Sequence, residues 1–230
     1  DVEKKDGGYD DNPGGSGPGG PHMRFAGRLH ARCKGGNVTA DHDQLRITAA
    51  DEALLVFTAA TDYRLEMLDS DPSLDPAAMA ERMLAKAAAK EWPELLESHV
   101  AEHRAMFDRV KLDLGGNPEL DGKPTDARLA AVKKGGDDPG LIALHFQYGR
   151  YLLMGSSRRP GRLPANLQGI WSESKWAAWE ADYHLNINLQ MNYWTARSTN
   201  LAETAEPLLD WFELLAKRGR SSSASPAGGS

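Results

Sequence analysis

At Ser70 the hydrophobic period of the chain changes, and this change constrains the fold more than any other feature of the sequence. Before it the period is two. Met23, Phe25, Gly27, Leu29 and Ala31 alternate with polar or small residues as a strand does. Gly35-Gly36 marks a turn, and Asn37–Ala40, Leu45–Thr48 and Ala53–Thr61 read as three more short strands. Strands at this spacing predict a sandwich or barrel. Four alone would leave one face uncovered, so more of the β-domain is expected upstream. After Ser70 the pattern is helical. Asp75-Pro76 and Asp138-Pro139 each read as an N-cap followed by proline at the first helical position. The first opens an alanine-rich run to Lys90, and the second an apolar helix through Leu141, Phe146, Tyr151 and Met154. Between them lie a helix from Pro93 with a stripe of Leu95, Leu96, Val100, Met106 and Phe107, a short strand at Val110–Leu114, a loop at Gly115–Pro124 and a short helix at Asp126–Val132. Two more helices follow, from about Leu189 through Trp194 and from about Ala202 to Lys217. The fold class is therefore α+β, with the β part first.

The two ends carry no such pattern. Residues 1–22, with NPGGSGPGGP, and residues 221–230, SSSASPAGGS, read as loop or disorder. Asp1–Asp11 is polar and acidic, so it is no signal peptide. A net charge of -6 and the lack of a basic, aromatic-laced stripe argue against a nucleic-acid partner. No apolar run could span a bilayer. Cys33 is the only cysteine, which excludes an internal disulfide framework or a thiolate metal cluster.

Chemistry concentrates between Pro164 and Trp194, in PANLQGIW, a Trp-rich loop and DYHLNINLQMNYW. Four of the six tryptophans fall there, among the carboxamides Asn166, Gln168, Asn186, Asn188, Gln190 and Asn192. His184, Asn186 and Asn188 alternate, so an extended segment would point all three the same way. Flat apolar rings beside two-way hydrogen-bonding groups suit a pyranose, which has C–H faces and a rim of hydroxyls. From composition alone the other reading stands equally: tryptophans as core and amides as caps.

PANLQGIW followed by LNINLQMNYW and TNLAETAEPL resembles glycoside hydrolase family 95, the inverting α-L-fucosidases. The flanks GGPHMRFAGRL, GGNVTADHDQLRI, ELLESHVAEHRAMFDRV and LHFQYGRYLLMGSSR extend the resemblance over about residues 19–220. It implies an N-terminal β-sandwich ending in residues 23–65, a helical linker over 66–135, and the first helices of an (α/α)6 barrel over 136–220. In such an enzyme one group protonates the leaving oxygen and another activates water on the opposite face. The resemblance gives the water to Asn186 and Asn188, backed by a distant Asp, and the acid role to a Glu later in the barrel. Glu173, Glu180 and Asp182 do not match those carboxylates. Read this way, the chain is an internal fragment, inactive by itself, of an enzyme acting on a fucosylated oligosaccharide or glycan, extracellular or periplasmic. His184, Gln168, Trp171 and Trp179 are the candidates for the sugar pocket, and no cofactor or metal is implied. His184 either senses the substituent at C5, distinguishing fucose from L-galactose, or orders its loop. Ser172–Ala178 and Thr195 depart from the family's usual wording, which bears on loop shape.

Other signals compete. His99, Glu102 and His103 fit the H-x-x-E-H of inverted zinc peptidases, against a plain charged helix face. Ser172 to Lys175 fits S-x-x-K but has no K-T-G after it. Asp6–Asn12 lacks the spacing of a calcium loop. A carbohydrate-binding remnant that keeps the Trp platform without the carboxylates is the alternative of a different class.

Overall fold

A computed structural model describes residues 23–42, 44–172 and 177–223. The expectations for residues 1–22, for most of the tail and for Glu173, Lys175 and Trp176 lie outside these. The described residues divide into two compact units, one up to His103 and one from Arg104 onward.

In the first unit the four expected strands form, but they pair in nested fashion. β1 (Phe25–Lys34) runs antiparallel to β4 (Glu52–Thr61), and β2 (Asn37–Asp41) to β3 (Gln44–Thr48). Between the Lys34–Glu52 and Asn37–Thr48 pairs the outgoing side holds Gly35 and Gly36, whereas the returning side holds Ala49, Ala50 and Asp51. One extra residue on one side is a bulge, and it bends a two-stranded ribbon. Gly36 has φ +62°, and a Cβ there would lie 2.1 Å from the Thr48 carbonyl oxygen, so the turn requires glycine. The result is a ribbon with a bent tip, not four strands side by side. A further short pair, β5 (Tyr63–Arg64) with β6 (Asp69–Ser70), was not legible in the sequence.

Helix α1 (Pro76–Ala88) covers one face of the β1–β4 ribbon. It starts as its sequence dictates: Asp75 accepts hydrogen bonds from the amides of Ala77 and Ala78, and Pro76 occupies the first turn. Pro76, Ala80 and Leu84, four residues apart, are its buried stripe. Thr58 Oγ1 donates to the Ala80 carbonyl, and Arg32 donates to the carbonyls of Ala88 and Lys90 at the helix C-terminus. The helix therefore lies on the face of Arg28, Arg32 and Thr58. The apolar row that announced β1 points the other way: Phe25 and Phe57 are 69% and 67% exposed, beside Leu29 and Leu55.

α2 (Trp92–Phe107) leads into the second unit, which holds α3 (Pro118–Asp121), α4 (Thr125–Lys133), α5 (Pro139–Ser156), α6 (Asn188–Ser198) and α7 (Glu206–Ser223). Its apolar centre is Met106, Met154 and Leu201, with Phe107 against it. Arg150, 2% exposed, sits beside this centre. Its guanidinium donates to the carbonyls of Met106, Phe107, Val110 and Thr199 and to Gln147 Oε1. This overturns the strand expected at Val110–Leu114. Gln147 Nε2 also donates to the Val110 carbonyl, so side chains of α5 take the hydrogen bond that a partner strand would need. The loop expected at Gly115–Pro124 likewise contains α3, capped by Asn117 and started by Pro118.

The start of α5 is built as expected and carries one addition. Asp138 caps the helix through the Leu141 amide at 2.9 Å, and Arg128 grips the same carboxylate with two parallel hydrogen bonds of 2.9 and 2.8 Å. The Arg128 fork, with help from the Leu141 amide, pulls the Asp138 carboxyl from 3.8 down to about 2. A carboxyl with a depressed folded pKa stabilises above its unfolded value, and that stability is lost as pH falls through the folded value. Asp138→Asn is therefore expected to melt below the parent chain at pH 7, and the two melting temperatures to converge between about pH 4 and pH 2. Thermal melts followed by circular dichroism check this; a gap unchanged at pH 2 would contradict it.

Candidate active site

The two carboxamide-rich motifs are hydrogen-bonded to each other. On one side is Pro164–Trp171, on the other Ala177–Ile187 running into α6. Tyr193, on α6, accepts from the Ala165 amide at 2.7 Å and donates to Ser157 Oγ at 2.7 Å, and Ser157 Oγ in turn donates to the Thr204 carbonyl at 2.8 Å. Burial holds the Tyr193 phenol above its ordinary pKa, so it stays a donor. Asn192 Nδ2 donates to the Asn166 carbonyl at 2.9 Å, Tyr183 Oη donates to the Pro164 carbonyl at 3.1 Å, and the Leu167 amide donates to the Asp182 carbonyl at 3.2 Å. Asn166 Oδ1 accepts from the Gln168 amide and shapes the turn that ends at Gly169. The Pro164–Gly169 loop is thus gripped from both sides, which makes it a rigid wall.

Gln168 donates from Nε2 to the Ala178 carbonyl at 2.9 Å, while its buried Oε1 accepts no hydrogen bond among the described residues. Trp179 and His184 meet edge to face, ring centroids 5.9 Å apart. His184 Nε2 lies 2.9 Å from Asp182 Oδ1. Trp171 goes elsewhere: it stacks on Tyr151 of α5 at 5.9 Å, and Gly155 leaves room for its ring. Of the four predicted pocket residues, then, Gln168, Trp179 and His184 are neighbours through Ala178 and the ring contact, and Trp171 rests on the helix.

The backbone here is unusual. Trp179, Glu180 and Ala181 all have φ between 53° and 56°, one turn of left-handed helix made of residues with side chains. Each such residue costs about 1–2 kcal/mol, and such outliers cluster at working sites. Trp179 on this turn is 73% exposed.

A second outlier corrects the sequence reading. His184, Asn186 and Asn188 do not lie on an extended segment. Residues 185–187 form a turn, Ile187 has φ 70° and ψ -44°, and Asn188 is the first residue of α6. A β-branched residue at positive φ is rare, and here it stands between the two amides. Alternation of polar residues fixes a strand only where burial enforces it, and both Asn186 and Asn188 are exposed. Neither side chain makes a hydrogen bond among the described residues, so the amides are available to solvent or ligand. Two residues of the site have partners that the sequence did not show: Asp182, read there only as a carboxylate outside the family's pair, and Tyr193. An Asp two places before a His, and a Tyr inside an amphipathic turn of a polar helix, are the signals that could have found them.

Away from this region, His99 and His103 stack on α2 with ring centroids 6.3 Å apart. Among the described residues no group of three or more His, Cys, Asp or Glu could hold a metal ion. Among the described residues no helix is long and apolar enough to cross a membrane.

Residues 91–228 match the glycosyl hydrolase family 95 catalytic domain. The chain is 36% identical over 218 residues to alpha-L-fucosidase 2 of Arabidopsis thaliana, covering 92% of the chain and 25% of that protein. It is 41% identical over 162 residues to a probable alpha-fucosidase A of Aspergillus niger and 37% identical over 158 residues to that of Aspergillus oryzae, in each case over 68% of the chain. It spans 20% and 21% of those two proteins. The domain match takes in more than half of the chain and both clamped motifs, and on that ground the chain belongs to glycosyl hydrolase family 95.

Proposed function

We propose that this chain supplies the water-holding part of the active site of an inverting α-L-fucosidase acting on terminal α-linked L-fucose of a glycan. The observation that carries the reading is the pair Asn186 and Asn188, exposed and without a hydrogen bond among the described residues, on either side of the strained Ile187. Two amides held a fixed distance apart can accept from one water and aim its lone pair. An amide has almost no basicity, so the water gains nucleophilic character only when a carboxylate polarises the amides. That Asp, and the Glu that protonates the leaving oxygen, belong to the rest of the catalytic domain. Gln168, Trp179 and His184 line the sugar side, with Trp171 at its margin on α5. Residues 23–65 serve as the last strands of a sandwich, 66–135 as a linker and 136–220 as the opening helices of an (α/α)6 barrel. The exposed Phe25, Leu29, Leu55 and Phe57 supply the apolar face that a second sheet would cover. The chemistry uses protein groups and water only, in an extracellular or periplasmic setting.

The test is hydrolysis of a 2'-fucosylated oligosaccharide, with the anomer followed by proton NMR. A polypeptide spanning the full length of the curated relatives is expected to release β-L-fucose first, because single displacement inverts the α linkage. The present chain alone is expected to release none. The α anomer appearing first, or turnover by the chain alone, would overturn the reading.

A further inference from the structure

We propose that Asp182 is the positioning residue of His184: its carboxylate holds the imidazole as the Nε2–H form and leaves Nδ1 as the acceptor that meets a sugar hydroxyl. The sugar as ligand rests on the function proposed above; the Asp182–His184 arrangement does not.

A carboxylate only accepts, so the nitrogen facing it must carry the proton. Nε2 faces Asp182 Oδ1 at 2.9 Å. In the neutral ring the other nitrogen is then a lone pair, suited to a hydroxyl that donates. The backbone that carries the carboxylate is itself held in place. The Asp182 amide donates to the Trp179 carbonyl at 3.3 Å, and the Asp182 carbonyl accepts from Leu167 at 3.2 Å. Asp182 thus joins the left-handed turn to the Pro164–Gly169 wall. The ring has one further contact and the His184 backbone another. Trp179 meets it edge to face, and the His184 carbonyl accepts from the Leu189 amide at 3.0 Å, the first turn of α6. Both side chains are partly exposed, 36% for His184 and 53% for Asp182. An exposed pair adds little stability, so what this one fixes is the direction of a hydrogen bond.

The experiment labels the histidine rings of the chain with nitrogen-15 and records long-range nitrogen–proton spectra with and without L-fucose. His184 is expected to show a proton on Nε2 and a bare Nδ1, and fucose to move the Nδ1 resonance. Asp182→Asn keeps an acceptor oxygen at the same place and should keep the Nε2–H signal. Asp182→Ala should lose that signal to solvent exchange and weaken fucose binding about 3- to 10-fold, the worth of one neutral hydrogen bond. A proton on Nδ1 in the parent chain, or an Nε2–H signal equally sharp in Asp182→Ala, overturns the proposal. If the tautomer and the variants behave as expected but fucose moves nothing, the positioning by Asp182 stands and the sugar site falls.

Discussion

Asn188→Ala, carried in a polypeptide that spans the full length of the curated relatives, is expected to lower kcat on an α-L-fucoside by on the order of 10²–10³-fold. KM should change little, because in the proposed role the amide holds water and not the sugar. Asn186→Ala should do the same, and the double variant should lose scarcely more than either alone, since a water held by one amide is already misaimed. Ile187 sets the geometry of the pair. Its φ of 70° turns the chain between the two asparagines, so that one projects from a turn and the other from the first position of α6. Nothing among the described residues occupies either amide. Gln190, on the same helix as Asn188 and likewise exposed, is the control and should leave kcat unchanged. Steady-state kinetics decide it: if Asn186→Ala and Asn188→Ala turn over as Gln190→Ala does, the amide pair holds no catalytic water.

What could be read from the sequence was local chemistry. Asp75-Pro76 and Asp138-Pro139 start their helices because cap and proline act within one turn. The strands of the ribbon were legible as strands, since alternation survives in any sheet. Their nesting was not, because pairing β1 with β4 depends on a bulge that two glycines permit and no periodicity announces. The apolar row of β1 announced a strand and misled about its covered face, which α1 claims through Thr58 and Arg32. Val110 looked like a strand start, yet its carbonyl is taken by Gln147 and Arg150, far along the chain. In the site, the residue types were legible and their backbone was not. Polar alternation across His184, Asn186 and Asn188 had no buried face to hold it extended, and a strained turn replaced it. Asp182 and Tyr193 act through partners that only the folded chain brings near, Leu167 in one case and Ala165 with Ser157 in the other.

Arg150→Met is expected to destabilise the unit from Arg104 onward by about 3 kcal/mol and to lower its melting temperature by about 10 °C. Methionine fills much the same volume, so the loss comes from hydrogen bonds and not from a cavity. The guanidinium reaches the carbonyls of Met106, Phe107 and Val110 on one side and of Thr199 on the other. Each buried carbonyl left without a donor costs about 1–3 kcal/mol. Relief of the buried charge offsets part of this: burial, and Arg109 nearby, depress the Arg150 pKa, and among the described residues no carboxylate forms an ion pair with it. Arg150→Lys isolates the geometry from the charge. An ammonium is a single point and cannot span Met106 and Thr199 together, so lysine should melt close to methionine; a lysine variant as stable as the parent would show that charge alone suffices. The consequence reaches the site through α6, because Thr199 closes the helix whose first residue is Asn188. Arg150 ties the C-terminal end of that helix to the end of α2, and Tyr193 ties its middle to Ser157 and Ala165. With both ties made, the strain at Ile187 has a fixed body to act against, and the two amides keep one separation. Cut at Arg150, the helix end is free to shift, and the amide at its first residue shifts with it.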